Sequence, residues 1–236
     1  MVRLRFAVDE RFDLASTRQK VSARVSAPVP LERSTWTCRV RLGPPIDFDR
    51  PAYGEGPLQA LVLGLNKLGI ILYCSDLWRT GRLGWRGQYG GYLGLAAPTL
   101  LLDDAPYPFD LGGTDHRAEV EEEASGDAET ADLLVEETYF VTEPRSPMQV
   151  RLYSPGLGED GRWRCRVQID SPIEIDRYVK GDSGLEALWR AICLVSGELY
   201  GSPLWQAGKL GHIDEPGGFL GLPSPASLAP LTGHSF

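Results

Sequence analysis

The sequence has little of what membrane, secreted and metal-binding proteins depend on. No apolar run approaches the roughly 20 residues that a membrane-spanning helix needs, and residues 1–9 lack the apolar stretch of a secretion signal. The four cysteines form no CxxC motif and no Cys/His spacing typical of zinc sites. These absences predict a cytoplasmic protein without a membrane partner, a metal or a cofactor, in which the cysteines are small buried hydrophobic residues.

What the chain does contain is an internal repeat with an offset of 127 positions. Residues 6–98 align with residues 133–225 without a gap, and 32 of the 93 aligned positions are identical. A repeat of this length is a whole folding unit that occurs twice, because solenoid modules have only about 20–50 residues. We therefore divide the chain into a first repeat (1–98), an acidic linker (99–132), a second repeat (133–225) and a flexible tail (226–236).

Each repeat begins with alternating apolar and polar residues and continues with a helical pattern. Three alternating stretches open each unit, as is typical of antiparallel strands with one buried face. Leucines at helical spacing then run from Leu58 to Leu72 and from Leu185 to Leu199. The sequence predicts an α+β fold of two tandem β-β-β-α units, each an antiparallel sheet with one packed helix. We expect the two units to pair about an approximate two-fold axis.

Acidic charge is concentrated between the repeats. Residues 99–132 contain eleven acids and one base, whereas the rest of the chain carries 23 bases and 21 acids and the whole chain has a net charge of −8. An acidic surface speeds the capture of a basic partner. We therefore expect the linker to take part in binding, and the candidate contact residues within it are Asp103, Asp104, Glu119, Glu121, Glu122 and Glu123.

The repeat also filters candidate catalytic residues, because a site present in both units would be kept at equivalent positions. No histidine is kept: Trp85 stands where the second repeat has His212, and the other histidines lie in the linker and the tail. No carboxylate is coupled to a nucleophile in the pattern that general acid–base or nucleophilic catalysis uses. We therefore predict that the protein is not an enzyme, the alternative being a site that one repeat holds alone.

Two further sets of residues are candidates for contact with a partner. Asp-Arg pairs lie between the third strand and the helix of each unit, namely Asp49 with Arg50 and Asp176 with Arg177. They fit either a turn fixed by a local hydrogen bond or an ion pair, or an anchor for a partner loop near the helix N-terminus, where anions are favoured. Trp85, which is not kept in the second repeat, is a candidate for exposed contact, together with the nearby Tyr89.

Arginines on the predicted wet faces of the sheets raise the question of nucleic-acid binding. Few aromatic residues are interleaved with them as stacking platforms, and the net charge is negative. Nucleic acid is therefore not the expected partner. A solvated face, or a dock for the chain's own acidic linker, is the favoured interpretation.

Three short motifs carry a resemblance. They are Trp36-x-Cys38-x-Val40, Gly54-x-x-x-Leu58-Gln59-Ala60-Leu61 and Gly81-x-Leu83-Gly84, and each has a counterpart 127 positions later. In these motifs the chain resembles an uncharacterised family of small bacterial domains, whose single-copy members are about as long as one repeat. The resemblance covers both repeats but not the linker, and it supplies no catalytic residue. It implies an accessory bacterial protein of the kind found beside toxin or conflict-system genes.

These observations favour a non-enzymatic, protein-binding module. The most specific form of this hypothesis is an immunity or antitoxin protein that neutralises a bacterial toxin or effector by direct binding. The partner is then a protein with a basic surface. The alternative is a small-ligand-binding or regulatory module with a pocket between the repeats.

Overall fold

A computed structural model describes residues 5–32, 34–95, 120–121, 132–142, 145–213 and 215–223. The first repeat contains strands β1 (Phe6–Leu14), β2 (Lys20–Ser26), β3 (Val29–Glu32), β4 (Thr35–Leu42), β5 (Phe48–Gly54), β6 (Leu83–Trp85) and β7 (Gln88–Tyr89), with helices α1 (Pro57–Tyr73) and α2 (Asp76–Arg79). After β8 (Val120–Glu121), the second repeat contains β9 (Leu133–Thr142), β10 (Arg145–Tyr153), β11 (Gly156–Leu157), β12 (Trp163–Ile169), β13 (Ile175–Gly181), β14 (Leu210–His212) and β15 (Glu215–Pro216), with helices α3 (Gly184–Gly201) and α4 (Pro203–Gln206). None of the helices in these described ranges combines the length and the apolar character needed to span a membrane.

Each repeat forms one antiparallel sheet, and the strands of the two sheets follow the same spatial order. In the first sheet the order is β5-β4-β2-β1-β6-β7, and β3 also pairs with β4. In the second it is β13-β12-β10-β9-β14-β15, and β11 pairs with β12. The predicted α+β fold of duplicated units, with one long helix packed on each antiparallel sheet, is confirmed. The structure adds a further strand between the third predicted strand and the helix, which is β5 in one repeat and β13 in the other.

The outer edges of these two added strands differ in what keeps them from pairing with a further strand. Two residues of the acidic linker form β8 and pair with β13, Val120 opposite Val179 and Glu121 opposite Tyr178. In the first repeat the position equivalent to Tyr178 is Pro51. Proline has no backbone N–H to offer to another strand, and it is a common way of blunting a sheet edge. One edge is therefore covered and the other is blocked by its sequence.

The helices join the two repeats into one body. Helix α1 packs on β4 and β5 of its own sheet and also on β9 of the other repeat, and α3 packs reciprocally on β12, β13 and β1. One cluster of buried apolar side chains therefore runs through both repeats, and it includes the equivalent residues Phe12 and Tyr139. This reciprocal packing is the pseudo-two-fold pairing that the repeat predicts.

A Tyr–Trp pair holds the Gly-rich segment that follows each helix. The hydroxyl of Tyr73 donates to the carbonyl of Leu95 at 3.0 Å, and Nε1 of Trp78 donates to the carbonyl of Gly91 at 2.9 Å. The two rings meet edge to face with centroids 5.1 Å apart. The second repeat has the same pair, Tyr200 and Trp205, with centroids 5.0 Å apart. Buried aromatic residues with a polar tip that finds a backbone partner fix such segments well.

Candidate functional site

The outer face of each sheet carries a row of charged and polar residues across four strands. In the first sheet the row is Asp9, Arg24, Arg41 and Asp49, and in the second it is Glu136, Arg151, Gln168 and Asp176. Neighbours within a row form ion pairs, such as Arg24 with Asp9 at 3.1 Å and Arg151 with Glu136 at 2.7 Å. Cross-strand pairs of opposite charge stabilise a sheet. The first charged row is balanced in charge and the second carries one more acid than base, so neither forms a basic track.

The aspartates of the two predicted Asp-Arg pairs belong to these charged rows. Asp49 accepts a hydrogen bond from Arg39, which lowers the pKa of the carboxyl group. Asp176 accepts from Arg166 at 2.8 and 2.6 Å and from Gln168 at 2.7 Å, and the bond from Arg166 is the main cause of its lowered pKa. The aspartates therefore form ion pairs with arginines of the neighbouring strand and not with Arg50 and Arg177, and they lie in strands and not in a turn.

The other predicted contact residues of the folded units lie apart from the charged rows. Arg50 is exposed and donates to a carbonyl of its own strand at 2.9 Å, and Arg177, its equivalent, is half-buried. Tyr89 is exposed, on β7. The expectation that Trp85 is exposed is wrong, because its residue exposure is only 6% and its ring packs edge to face on Tyr92 at 5.7 Å. A large apolar ring gains more from this burial than from contact with water.

The linker candidates are placed only in part. Glu121 lies in β8, with its backbone opposite that of Tyr178. Asp103, Asp104, Glu119, Glu122 and Glu123 lie outside the described residues.

Beside the charged row of the first sheet lies an exposed apolar surface that the sequence did not single out. Thr37 on β4 lies between Val29 on β3 and Tyr53 on β5, and we call Val29, Leu31 and Tyr53 the apolar row. Val29, Leu31 and Tyr53 are all exposed, Tyr53 by 53%. The side chain of Arg39, two residues beyond Thr37 on β4, projects from the same face because side chains alternate along a strand.

The equivalent place on the second sheet has different chemistry. Gly156, Arg164 and Lys180 occupy the positions of Val29, Thr37 and Tyr53. Asp160 accepts a hydrogen bond from Arg164 at 3.0 Å and lies 3.3 Å from Nζ of Lys180, and the bond from Arg164 lowers the pKa of Asp160 to about 2. The same fold therefore presents an apolar row on one sheet and an ionic cluster on the other.

The contact between the repeats contains a buried acid of one repeat that caps the helix of the other. Glu137, on β9, accepts a hydrogen bond from the N–H of Leu58 at 3.1 Å. Gly56, the N-cap of α1, has no side chain to do this, and a Cβ there would collide with the Glu137 carboxylate. Nε2 of His212 lies 3.3 Å from the same carboxylate, without the alignment of a hydrogen bond to any described residue. We call these four residues the α1 contact.

The burial of the α1 contact decides what it can do chemically. Glu137 and His212 are each more than nine-tenths buried, and one carboxylate oxygen is engaged by the helix N-terminus, where negative charge is stabilised. An acid beside a histidine is a familiar catalytic combination. Here the combination closes the contact between the repeats instead of facing solvent, so that we assign it a structural role.

At the equivalent α3 contact the helix caps itself. Ser183 accepts a hydrogen bond from the N–H of Glu186 at 3.2 Å, as serine commonly does at a helix N-cap. Trp85 occupies the place of His212, and Arg86 donates to the carbonyl of Asp182 at 2.5 Å. The two contacts share a backbone arrangement but are closed by different groups.

The cysteines are free, and their environments differ. Cys38 and Cys165 are buried, as expected, and burial raises the pKa of each thiol to about 12. Cys74, near the end of α1, is exposed, contrary to the expectation of burial. Within the part of the chain that the structure describes, no group of three His, Cys, Asp or Glu side chains is arranged to hold a metal ion.

Comparison with known proteins identifies the repeated unit. The model of a family described as a domain of unknown function, DUF6968, matches the chain twice, over residues 9–97 and 136–224. This double match confirms the interpretation of the chain as a duplicated, uncharacterised domain. No curated protein and no solved structure matches the chain.

Proposed function

The chain belongs to the DUF6968 family through both of its repeats, and we propose that in this protein the paired domains bind another protein without catalysing a reaction. The apolar row on the first sheet is the observation that carries this proposal. Val29, Leu31 and Tyr53 are exposed together on an antiparallel sheet. Exposed apolar clusters on a folded domain commonly mark an interaction site.

The composition of the surface around the apolar row supports a protein as the partner. Tyrosine and arginine are the residue types enriched where binding energy concentrates in protein interfaces. Tyr53 supplies a large ring with few rotatable bonds, and Arg39, held by Asp49, supplies an oriented guanidinium group beside it. On the second sheet Arg166 lies over the half-buried ring of Tyr153, and the equivalent place carries the ionic cluster instead of exposed apolar residues. The first sheet is therefore the proposed binding face.

The charge of the linker supports a more specific form of the proposal. With eleven acids and one base, residues 99–132 would attract a basic protein at long range, while the apolar row supplies the short-range contact. Neutralisation of a basic bacterial toxin or effector, as an immunity or antitoxin protein, fits this division of roles. The proposed compartment is the cytoplasm, which the presence of four free cysteines favours.

Affinity capture from the native host tests the proposal. The tagged full chain is used as bait, captured proteins are identified by mass spectrometry, and the binding of the purified pair is measured by calorimetry. Tyr53→Ala and Leu31→Ser are expected to weaken binding at least tenfold, since loss of a central interface residue costs about 2 kcal/mol or more. Co-expression with the captured protein then shows whether wild-type chain, but not the Tyr53→Ala variant, relieves its toxicity.

A matched control separates this face from surface hydrophobicity in general. Leu157, on β11 of the second sheet, is even more exposed than Leu31. Leu157→Ser should leave binding unchanged. Equal loss in the Leu31 and Leu157 variants, or unchanged affinity after Tyr53→Ala in a chain with wild-type circular dichroism, would exclude the apolar row as the binding face.

A further inference from the structure

The backbone groups along the outer edge of β5 can be traced from a hydrogen bond on the neighbouring strand. The N–H of Arg39, on β4, donates to the hydroxyl of Ser26 on β2 at 2.9 Å, so it points away from β5. Residues opposite each other in an antiparallel pair point their backbone groups either both toward the partner strand or both away from it. Pro51, which lies opposite Arg39, therefore directs its carbonyl to the outer edge.

The first repeat closes this edge of β5 with its own residues. Pro51 has no N–H to donate to a further strand. Its carbonyl accepts a hydrogen bond from Nζ of Lys67, on α1, at 2.5 Å. The carbonyl of Asp49, two residues earlier, accepts a hydrogen bond from the side chain of Arg50 at 2.9 Å. The edge therefore offers few free groups to another strand.

Two substitutions make the equivalent edge of β13 able to pair. Tyr178 stands where the first sheet has Pro51, in the same register with the neighbouring strand, so that its N–H and carbonyl point to the outer edge. Leu194 stands where α1 has Lys67, and its side chain has no donor for that carbonyl. The second repeat thus offers a donor and an acceptor at the position where the first repeat offers neither.

A short strand of the chain's own linker occupies this edge. Glu121 of β8 lies opposite Tyr178, and Val120 lies opposite Val179. The pairing involves only two of the seven residues of β13. Residues 119–123, which include β8, contain four glutamates and no base.

The charges around β13 fit an acidic strand. Its charged side chains and their described ion-pair partners comprise four bases and two acids: Arg164, Arg166, Arg177, Lys180, Asp160 and Asp176. Complementary charge speeds the encounter of two surfaces and suppresses wrong partners. This edge therefore favours an acidic segment over a basic one.

We propose that the outer edge of β13 is a docking site for an extended acidic segment, and that β8 occupies it as an internal ligand. A partner protein that carries such a segment adds a strand to the second sheet, with backbone hydrogen bonds supplying affinity. It displaces β8, whose two paired residues supply few hydrogen bonds. The docking site lies on the second sheet and does not depend on the apolar row of the first.

Binding of the linker sequence as a separate peptide tests the proposal. The probe is a fluorescein-labelled peptide of residues 117–124, and the receptor is the full chain with these residues replaced by glycine and serine. By fluorescence anisotropy, the peptide is expected to bind this linker-replaced chain about tenfold more tightly than the wild-type chain, in which tethered β8 competes at high effective concentration. A peptide with all four glutamates changed to glutamine should bind more weakly at low salt, and equal binding would contradict the preference for acidic segments.

Tyr178→Pro provides the matched control, because the first repeat carries proline at the equivalent position of the same fold. In the linker-replaced chain it should abolish peptide binding without changing the circular dichroism spectrum. Tyr53→Ala, in the apolar row, should leave peptide binding unchanged, so that failure of one binding face is distinguishable from failure of the other. Peptide binding that survives Tyr178→Pro, or that is no tighter to the linker-replaced chain than to the wild type, would overturn the proposal.

Hydrogen exchange locates the contact independently. The amide of Tyr178 should exchange at least tenfold more slowly in the wild-type chain than in the linker-replaced chain, because β8 protects it. Addition of the peptide to the linker-replaced chain should restore this protection. Equal exchange of this amide in the two chains would show that β8 does not occupy the edge.

Discussion

At the scale of single residues, a few substitutions give two equivalent units different surfaces. Tyr53 is replaced by Lys180 on the sheet face, Tyr92 by Phe219 in the Gly-rich segment, and Arg86 by Ile213 in the hairpin after the helices. In each case the backbone is shared and the side-chain chemistry is not. The two hairpin residues even share a left-handed backbone conformation, with φ of 51° at Arg86 and 60° at Ile213.

Of these two hairpin residues, Ile213 has the greater backbone strain. A β-branched side chain at left-handed φ is strained by about 1–2 kcal/mol relative to a residue that tolerates this region. Ile213→Asn is therefore expected to raise the free energy of unfolding by about 1 kcal/mol, measured by urea titration.

The equivalent substitution Arg86→Asn provides the control for strain. It should stabilise the chain less or not at all, since it removes the hydrogen bond from Arg86 to the carbonyl of Asp182. If Ile213→Asn lowers the free energy of unfolding, the contacts of the isoleucine side chain outweigh the backbone strain at this turn.

At the scale of elements, the two long helices begin in different ways. Helix α3 is capped by its own Ser183, whereas α1 begins at a glycine and is capped by Glu137 of the other repeat. The identity of Glu137 with Glu10, 127 positions earlier, was visible in the sequence. The capping role of Glu137 could not be predicted from the sequence, because it depends on a contact between the repeats that no local pattern encodes.

The capping arrangement predicts that Gly56→Ser lowers the free energy of unfolding of the wild-type chain but raises that of the Glu137→Ala variant. Glu137→Ala leaves a buried N–H without its partner and should lower the free energy of unfolding by about 2 kcal/mol. Gly56→Ser should destabilise the wild-type chain, because its Cβ collides with the Glu137 carboxylate. In the Glu137→Ala background the same serine can cap α1 as Ser183 caps α3, and should restore about 1 kcal/mol. Chemical unfolding of the four chains measures the cycle, and additive effects would contradict the proposed cap.

The elements that sequence predicted well are those with a regular period. Leucines at helical spacing located α1 and α3, and alternation located strands such as β4 and β12. The strand β5 was missed because Pro51 and the adjacent Asp-Arg pair interrupt its alternation, and the apolar row was missed with it. Trp85 was wrongly expected to be exposed, because its replacement by histidine suggested a tolerant surface position. His212 is equally buried, so the replacement reflects a difference between the two contacts.

At the scale of the whole molecule, the packing predicts that the repeats depend on each other for folding. Each helix packs on the first strand of the other repeat, one apolar cluster spans both, and α1 is capped from outside its own repeat. A single repeat would expose the part of this cluster that the other covers, and the removal of apolar surface from water is the main driving force of folding. The covalent connection between repeats is then less important than their packing.

Cleavage between the repeats tests this dependence. With a specific protease site inserted between Ser125 and Gly126, the cut chain is expected to elute as one species on gel filtration, because the buried contact and not the linker holds the halves together. After separation in urea, each half alone should fail to show a cooperative unfolding transition by circular dichroism, and mixing the halves should restore it. The uncut chain carrying the same insertion is the control. Halves that separate without denaturant, and that each unfold cooperatively, would show that the two repeats are independent domains and that the trans-capping of α1 by Glu137 is dispensable.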